Sequence, residues 1–118
     1  MEEIRRKTMD FNEYQKESRK LNIYPNGSVG FLAHTLGICD EAGEVAGKVK
    51  KQIRDKKENF TTKEFRGNMK AELGDVLWYI ANTAKDLGIT LEDIANYNIE
   101  KLKDRKNRGV LGGSGDER

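Results

Sequence analysis

Glu41-x-x-Glu44 and Glu72-x-x-Asp75 set two pairs of acidic residues at one helical spacing. Residues three apart on an α-helix lie one above the other on one face, so each pair aims two carboxylates at a single point. Two such helices laid side by side offer four carboxylates to one small volume. Like charges that close raise one another's pKa unless a cation neutralises them. A hard divalent metal with oxygen ligands suits such a donor set, Mg²⁺ first and Mn²⁺ as its substitute. Metals of that kind most often serve phosphate chemistry. Each E-x-x-E taken singly is common and carries little. Spacing alone leaves two readings open: a metal site, or two solvated helix faces with ion pairs such as Glu44 with Lys48.

Other polar residues bear on the same chemistry. Lys48 and Lys51 follow Glu44 on its stripe, where they could grip substrate phosphates or merely pair along the helix. Asn98 falls among apolar neighbours on its helix and needs a partner, which a phosphate or a neighbouring helix would supply. Lys101 and Arg105 line the edge of that same side. His34, the single histidine, sits two turns before Glu41. Gly37 lies between them and leaves room for a flat base against the helix. His34 is read either as a substrate contact or as a structural hydrogen-bonder. Trp78 packs against another helix or subunit, or stacks on a base. The glycines near the C-terminus lack a following Gly-Lys-Ser/Thr, which excludes a P-loop. Arg105, Arg108 and Arg118 leave open a tail that folds over an anionic ligand.

The elements that must position these residues are helices. One proline, Pro25, interrupts 118 residues, and strand-like alternation is missing. Asp10-x-x-Glu13 reads as a capping box that opens a first helix to about Leu21, with Phe11, Tyr14 and Leu21 along an apolar edge. Tyr24-Pro25-Asn26-Gly27 is a turn signal. A second helix runs from near Ser28 to about Lys56. Its apolar stripe is Ile38, Ala42, Val45, Ala46, Val49 and Ile53, beside a stripe of Glu41, Glu44, Lys48, Lys51 and Asp55. Residues 57–59 read as a loop. Thr61-x-x-Glu64 opens a third helix ending at Gly88. Its apolar stripe runs from Met69 through Leu73, Val76, Leu77, Ile80 and Ala84 to Leu87, beside Glu72, Asp75, Tyr79, Asn82 and Asp86. Thr90-x-x-Asp93 caps a fourth helix to about Arg105, with Leu91, Ile94, Ala95 and Leu102 facing inward.

The chain divides into a flexible N-terminus (1–9), a helical domain (10–106) and a glycine-rich, flexible tail (107–118). Hydrophobic and charged residues each make up 36%. So lean an apolar fraction predicts helices that complete their core by association into a homodimer or homotetramer, with Trp78, Gly43 and Gly47 as contact positions. The net charge of +2 does not argue for nucleic acid, and no aromatic-basic surface is evident. The lone Cys39 forms no intrachain disulfide and fits a reducing compartment. No apolar run approaches membrane-spanning length, the longest being Val76 to Ala81, and no hydrophobic signal region follows Met1. A cytoplasmic protein without a membrane partner is expected.

Taken together, these residues resemble the MazG-like nucleotide pyrophosphohydrolases of the all-α NTP pyrophosphatase superfamily. The resemblance runs from Phe11-Asn-Glu-Tyr-Gln onward. Its core is Asp40-Glu-Ala-Gly-Glu44 with Lys50-Lys51 and Arg54-Asp55, then Glu72-Leu-Gly-Asp-Val-Leu-Trp-Tyr79. Asn98-Ile-Glu-Lys-Leu102, Arg105 and the ending Arg108-Gly-Val-Leu-Gly-Gly-Ser-Gly-Asp116 extend it. The resemblance implies an all-α four-helix bundle that hydrolyses nucleoside triphosphates between the α- and β-phosphates. It implies Glu41, Glu44, Glu72 and Asp75 as Mg²⁺ ligands, with Glu41 or Glu44 orienting or deprotonating the attacking water. Lys48, Lys51, Asn98, Lys101 and Arg105 are implied as phosphate contacts. Clearance of surplus or non-standard nucleotides would be its service. A dUTPase-like or phosphoribosyl-ATP-specific hydrolase, or a non-catalytic nucleotide-binding or protein-binding regulator, remain rivals. Ile38-Cys39-Asp40 departs from the small or aliphatic residues more usual before Glu41 and leaves the metal count open.

Overall fold

The computed structural model describes residues 8–56 and 58–118. The expectations placed on residues 1–7 and on Lys57 lie outside them. Among the described residues the chain is all-helical, with α1 (Phe11–Lys20), α2 (Ser28–Lys56), α3 (Lys63–Asp86) and α4 (Leu91–Asn107).

Side-chain caps start three of the helices. The amide of Glu13 donates to Asp10 at 2.8 Å, that of Phe65 to Thr62 at 3.1 Å, and that of Asp93 to Thr90 at 3.0 Å. Each supplies an acceptor to an amide that the helix itself leaves unpaired. The α3 cap corrects the expectation by one residue. Thr61 bonds Asn59 instead, and the ring contact of Phe60 with Phe65, centroids 5.4 Å apart, spans the Thr62 cap. α3 and α4 end alike. Gly88 and Gly109 take φ of 70° and 72°, and the next amides, Ile89 and Val110, donate back to Ala84 and Arg105 at 2.9 Å. That left-handed turn is cheap only for glycine, and it stops both helices cleanly.

α2 and α3 pack antiparallel as the main hairpin, α1 lies against α3, and α4 packs chiefly on α1. Gln15 of α1 ties these parts together. Its amide donates to the carbonyls of Ala81 and Ile89, and it accepts from the Leu91 amide at the start of α4.

The apolar core is small. Phe65, Ala81, Ala84 and Leu91 are its buried apolar members. Several residues of the expected stripes stay exposed in the single chain, among them Ile53, Leu73, Leu87, Ile94 and Leu102. Asn98, expected amid apolar neighbours, is exposed as well. The radius of gyration is 17.4 Å, against about 13–14 Å for a compact chain of this length. No helix of the described residues is long and apolar enough to cross a membrane.

Candidate metal centre

Three of the four expected carboxylates converge. One oxygen each of Glu41, Glu72 and Asp75 lie within 4.8 Å of one another. Both members of the α3 pair reach this point, but only Glu41 does so from α2. An i,i+3 pair spans a little over one rise of about 4.5 Å and some 60° of arc. Both members therefore meet a common focus only where it sits between them. On α2 the focus sits over Glu41, and Glu44 stays exposed beside it.

The group is under electrostatic load. Burial, and then the charges of Asp75, Asp40, Glu72 and Glu44, push the Glu41 carboxyl above its ordinary pKa. Asp40, next to Glu41 in the sequence, thus contributes to the field. Among the described residues the cation in contact with the group is Lys48, whose Nζ lies 3.9 Å from Glu72. Lys48 therefore reaches across to α3 and does not pair with Glu44 along its own helix. Lys51 is exposed one turn further along α2. Three acidic oxygens, one of them on a carboxyl whose pKa is raised, form a hard, anionic donor set that fits a divalent cation of the Mg²⁺ kind.

Aromatic residues wall this group. Tyr79 lies flat over Gly37, where a Cβ would fall 2.2 Å from its ring. The space that the sequence offered to a flat base is therefore filled by the chain's own tyrosine. Tyr79 shares a 2.8 Å hydrogen bond with Tyr24. That bond, burial and the charges of Tyr24, Glu41 and Asp40 push its pKa up to about 12. Tyr14 of α1 also feels the group: burial and then Asp75 raise its pKa. Sequence reading took Tyr14 for an apolar edge residue, and nothing in the spacing marks it otherwise.

His34 is corrected. It is fully buried, with Nδ1 2.5 Å from Asp86 and Nε2 2.8 Å from Asn22. Tyr24 and Trp78 meet its ring edge-on. Both nitrogens are engaged inside the protein, so His34 presents nothing to a substrate. Asp86 also takes Arg19 at 2.8 Å, and Arg19 reaches the buried Asn82. Burial works to raise the Asp86 pKa, but the hydrogen bonds and charges of His34 and Arg19 outweigh it and hold the carboxyl below its ordinary value.

Asn98, Lys101 and Arg105 lie on α4, and none of them hydrogen-bonds or pairs with the acidic group. Asn98 and Lys101 line a separate cavity with Ile94 and Tyr97. Lys101 and the buried Arg105 meet Asp116, at 3.6 and 3.4 Å, and Arg105 also donates to the Asp116 carbonyl. The glycine-rich tail, expected flexible from its composition, thus folds back on α4. Arg118 donates to the carbonyls of Val110, Leu111, Gly112 and Gly115, and closes that loop on itself.

Comparison with known proteins now bears on this arrangement. The family model described as the MazG nucleotide pyrophosphohydrolase domain matches residues 30–110. That span contains both acidic pairs and all but the first two residues of the α2–α3 hairpin. The chain is also 44% identical over 115 residues to the Gene 37 protein of Mycobacterium phage L5, covering 93% of this chain and 100% of that one. No solved structure matches. The family is generally dependent on divalent metal. With its four helices and its acidic focus between α2 and α3, the chain belongs to the MazG nucleotide pyrophosphohydrolase family.

Proposed function

We propose that this protein hydrolyses nucleoside triphosphates between the α- and β-phosphates, in a Mg²⁺-dependent reaction that yields a monophosphate and pyrophosphate. The observation that carries the reading is the convergence of Glu41, Glu72 and Asp75 within 4.8 Å from two helices. These three would hold the metal, with Glu44 beside them as a further donor and Mn²⁺ as a substitute ion. When bound, the ion supplies the positive charge that neutralises the polyphosphate and favours deprotonation of water. Glu41, already pushed toward holding a proton, orients the attacking water and takes its proton. Lys48, beside Glu72, and Lys51 stabilise the departing pyrophosphate. Lys101 and Arg105 serve phosphate only when it displaces Asp116, and Asn98 stands beside them as an outer contact.

The reading includes assembly. The chain exposes 9453 Å², against about 6,500 Å² for a compact monomer of its mass. The excess, about 3,000 Å² per chain, would amount to about 6,000 Å² over the two chains of a dimer, at or beyond the upper end of what obligate interfaces cover. A homodimer or homotetramer that hides Leu32, Leu36 and Leu73, which are exposed in the single chain, accounts for it.

The test is product analysis with a panel of ribo-, deoxyribo- and damaged triphosphates in Mg²⁺. Paired release of monophosphate and pyrophosphate is expected, lost with EDTA and in Glu72→Ala. Diphosphate with orthophosphate would move the cleaved bond. No turnover with nucleotide binding intact would favour the regulator.

A further inference from the structure

A group of cations lies away from the acidic centre. α1 presents Lys16, Arg19 and Lys20 to Lys85 near the end of α3 and to Thr90 at the start of α4. Together they line a cavity of about 460 Å³ whose lining residues include no carboxylate. A second cavity of about 430 Å³ shares Arg19 and Lys85 and reaches Gly27 and Ser28, where α2 begins. Lys85 is ten residues beyond Asp75 on α3, about 15 Å along the helix. The two sites are therefore separate.

Much of this charge is uncommitted. Lys16 and Lys85 have no partner among the described residues. Lys20 pairs with Glu17. Arg19, which lines both cavities, commits only Nη1, to Asn82 and Asp86, and its other guanidinium donors have no partner among the described residues. Asp86, which lines the second cavity, is answered by His34 and Arg19. At the two ends of the groove the first turns of α2 and α4 add the partial positive charge of helix N-termini. The cationic stretch of α1, Lys16 to Lys20, covers just over one turn, about 6 Å. That length suits a compact anion and not a long strand. The basic residues at the start of α3, Lys63, Arg66 and Lys70, also border a cavity, but all of its lining comes from one segment. The α1 cavity is open but bordered by residues from three parts of the chain, which bring donors together from different elements.

We propose that the cavity between α1, the end of α3 and the start of α4 is a second, metal-independent binding site for a small phosphate-bearing anion, of the size of pyrophosphate or a nucleotide's phosphate chain. It does not rest on the catalytic reading, because binding here uses lysine and arginine alone.

Calorimetric titration of inorganic pyrophosphate into the full chain in EDTA tests this, since chelation silences the acidic centre. Saturable binding of one anion per chain is expected. Lys16→Gln combined with Lys85→Gln, both at exposed positions, should weaken it by about tenfold or more. Glu72→Ala and the control pair Lys63→Gln with Lys70→Gln should leave it unchanged. The Lys16/Lys85 variant should also keep its basal turnover of triphosphate in Mg²⁺, so loss of this site and failure of the catalytic reading stay distinguishable. Three results would overturn the proposal: no saturable binding to the wild type, equal weakening by the control pair, or a single-stranded oligonucleotide binding far more tightly than pyrophosphate through Lys16 and Lys85.

Discussion

α2 and α3 carry two polar regions a few turns apart, and they are built on opposite principles. At one, Asp86 meets His34 and Arg19, so its charge is answered from within the chain. At the other, Glu41, Glu72 and Asp75 converge with only Lys48 near one of them. The carboxyl pKa values move accordingly. Asp86 is held below its ordinary value and Glu41 is pushed above. A balanced, buried group fastens helices; an unbalanced one at the same interface is incomplete until a cation arrives. The first explains how the fold holds α1, α2 and α3 together. The second is where we propose that the metal binds.

The contrast can be broken by mutation. Glu72→Ala should abolish turnover by about a thousandfold or more, since loss of several kcal/mol of charge stabilisation has that effect. Its fold should survive, with a melting temperature in EDTA at or above the wild-type value. Asp86→Asn should do the reverse. It removes the negative charge that His34 and Arg19 share, turns an NH2 donor toward one of them, and should cost about 3 kcal/mol of stability, read by denaturant unfolding. Turnover per folded molecule should persist.

Mg²⁺ sharpens the same comparison. At a hundredfold excess over its dissociation constant it should stabilise the wild type by about 2.7 kcal/mol, seen as a raised melting temperature. Glu41→Gln should erase that gain. Gly37→Ala forces a methyl into the Tyr79 ring and should cost about 1–3 kcal/mol, with activity reduced because Tyr79 walls the acidic group.

The smallest effect is one of pH, and its sign differs between the regions. Asp86 binds its proton more weakly folded than unfolded. Its stabilisation is complete above the ordinary carboxylate range and is lost as pH falls through it. Glu41 binds its proton more tightly folded. In EDTA it should cost stability as pH rises from the ordinary carboxylate range through its raised value. Stability curves of Asp86→Asn and Glu41→Gln against pH, each compared with wild type, should therefore diverge in opposite directions.

Much of this was legible in the sequence. The Asp10 and Thr90 caps and the Gly88 stop bounded the helices closely because each is a local hydrogen-bonding pattern. The α3 start was misplaced by one residue because Thr61 and Thr62 both satisfy local chemistry; the Phe60–Phe65 contact across the cap lies outside any spacing rule. Periodicity marked both acidic pairs, but not that Glu44 would stand outside the converging trio, which depends on how α2 is rotated against α3. His34 was open to two roles because its partners, Asn22 and Asp86, lie 12 and 52 residues away. Tyr14 and Asp116 were invisible as site neighbours for the same reason: packing places them, not their own segment.

The most direct test is calorimetric titration of Mg²⁺ into wild type, Glu41→Gln and Asp86→Asn, below the melting temperature of each. Saturable binding to wild type and Asp86→Asn, strongly weakened in Glu41→Gln, is the predicted result. Mg²⁺ binding unchanged by Glu41→Gln would contradict the assignment of the metal to this group of carboxylates.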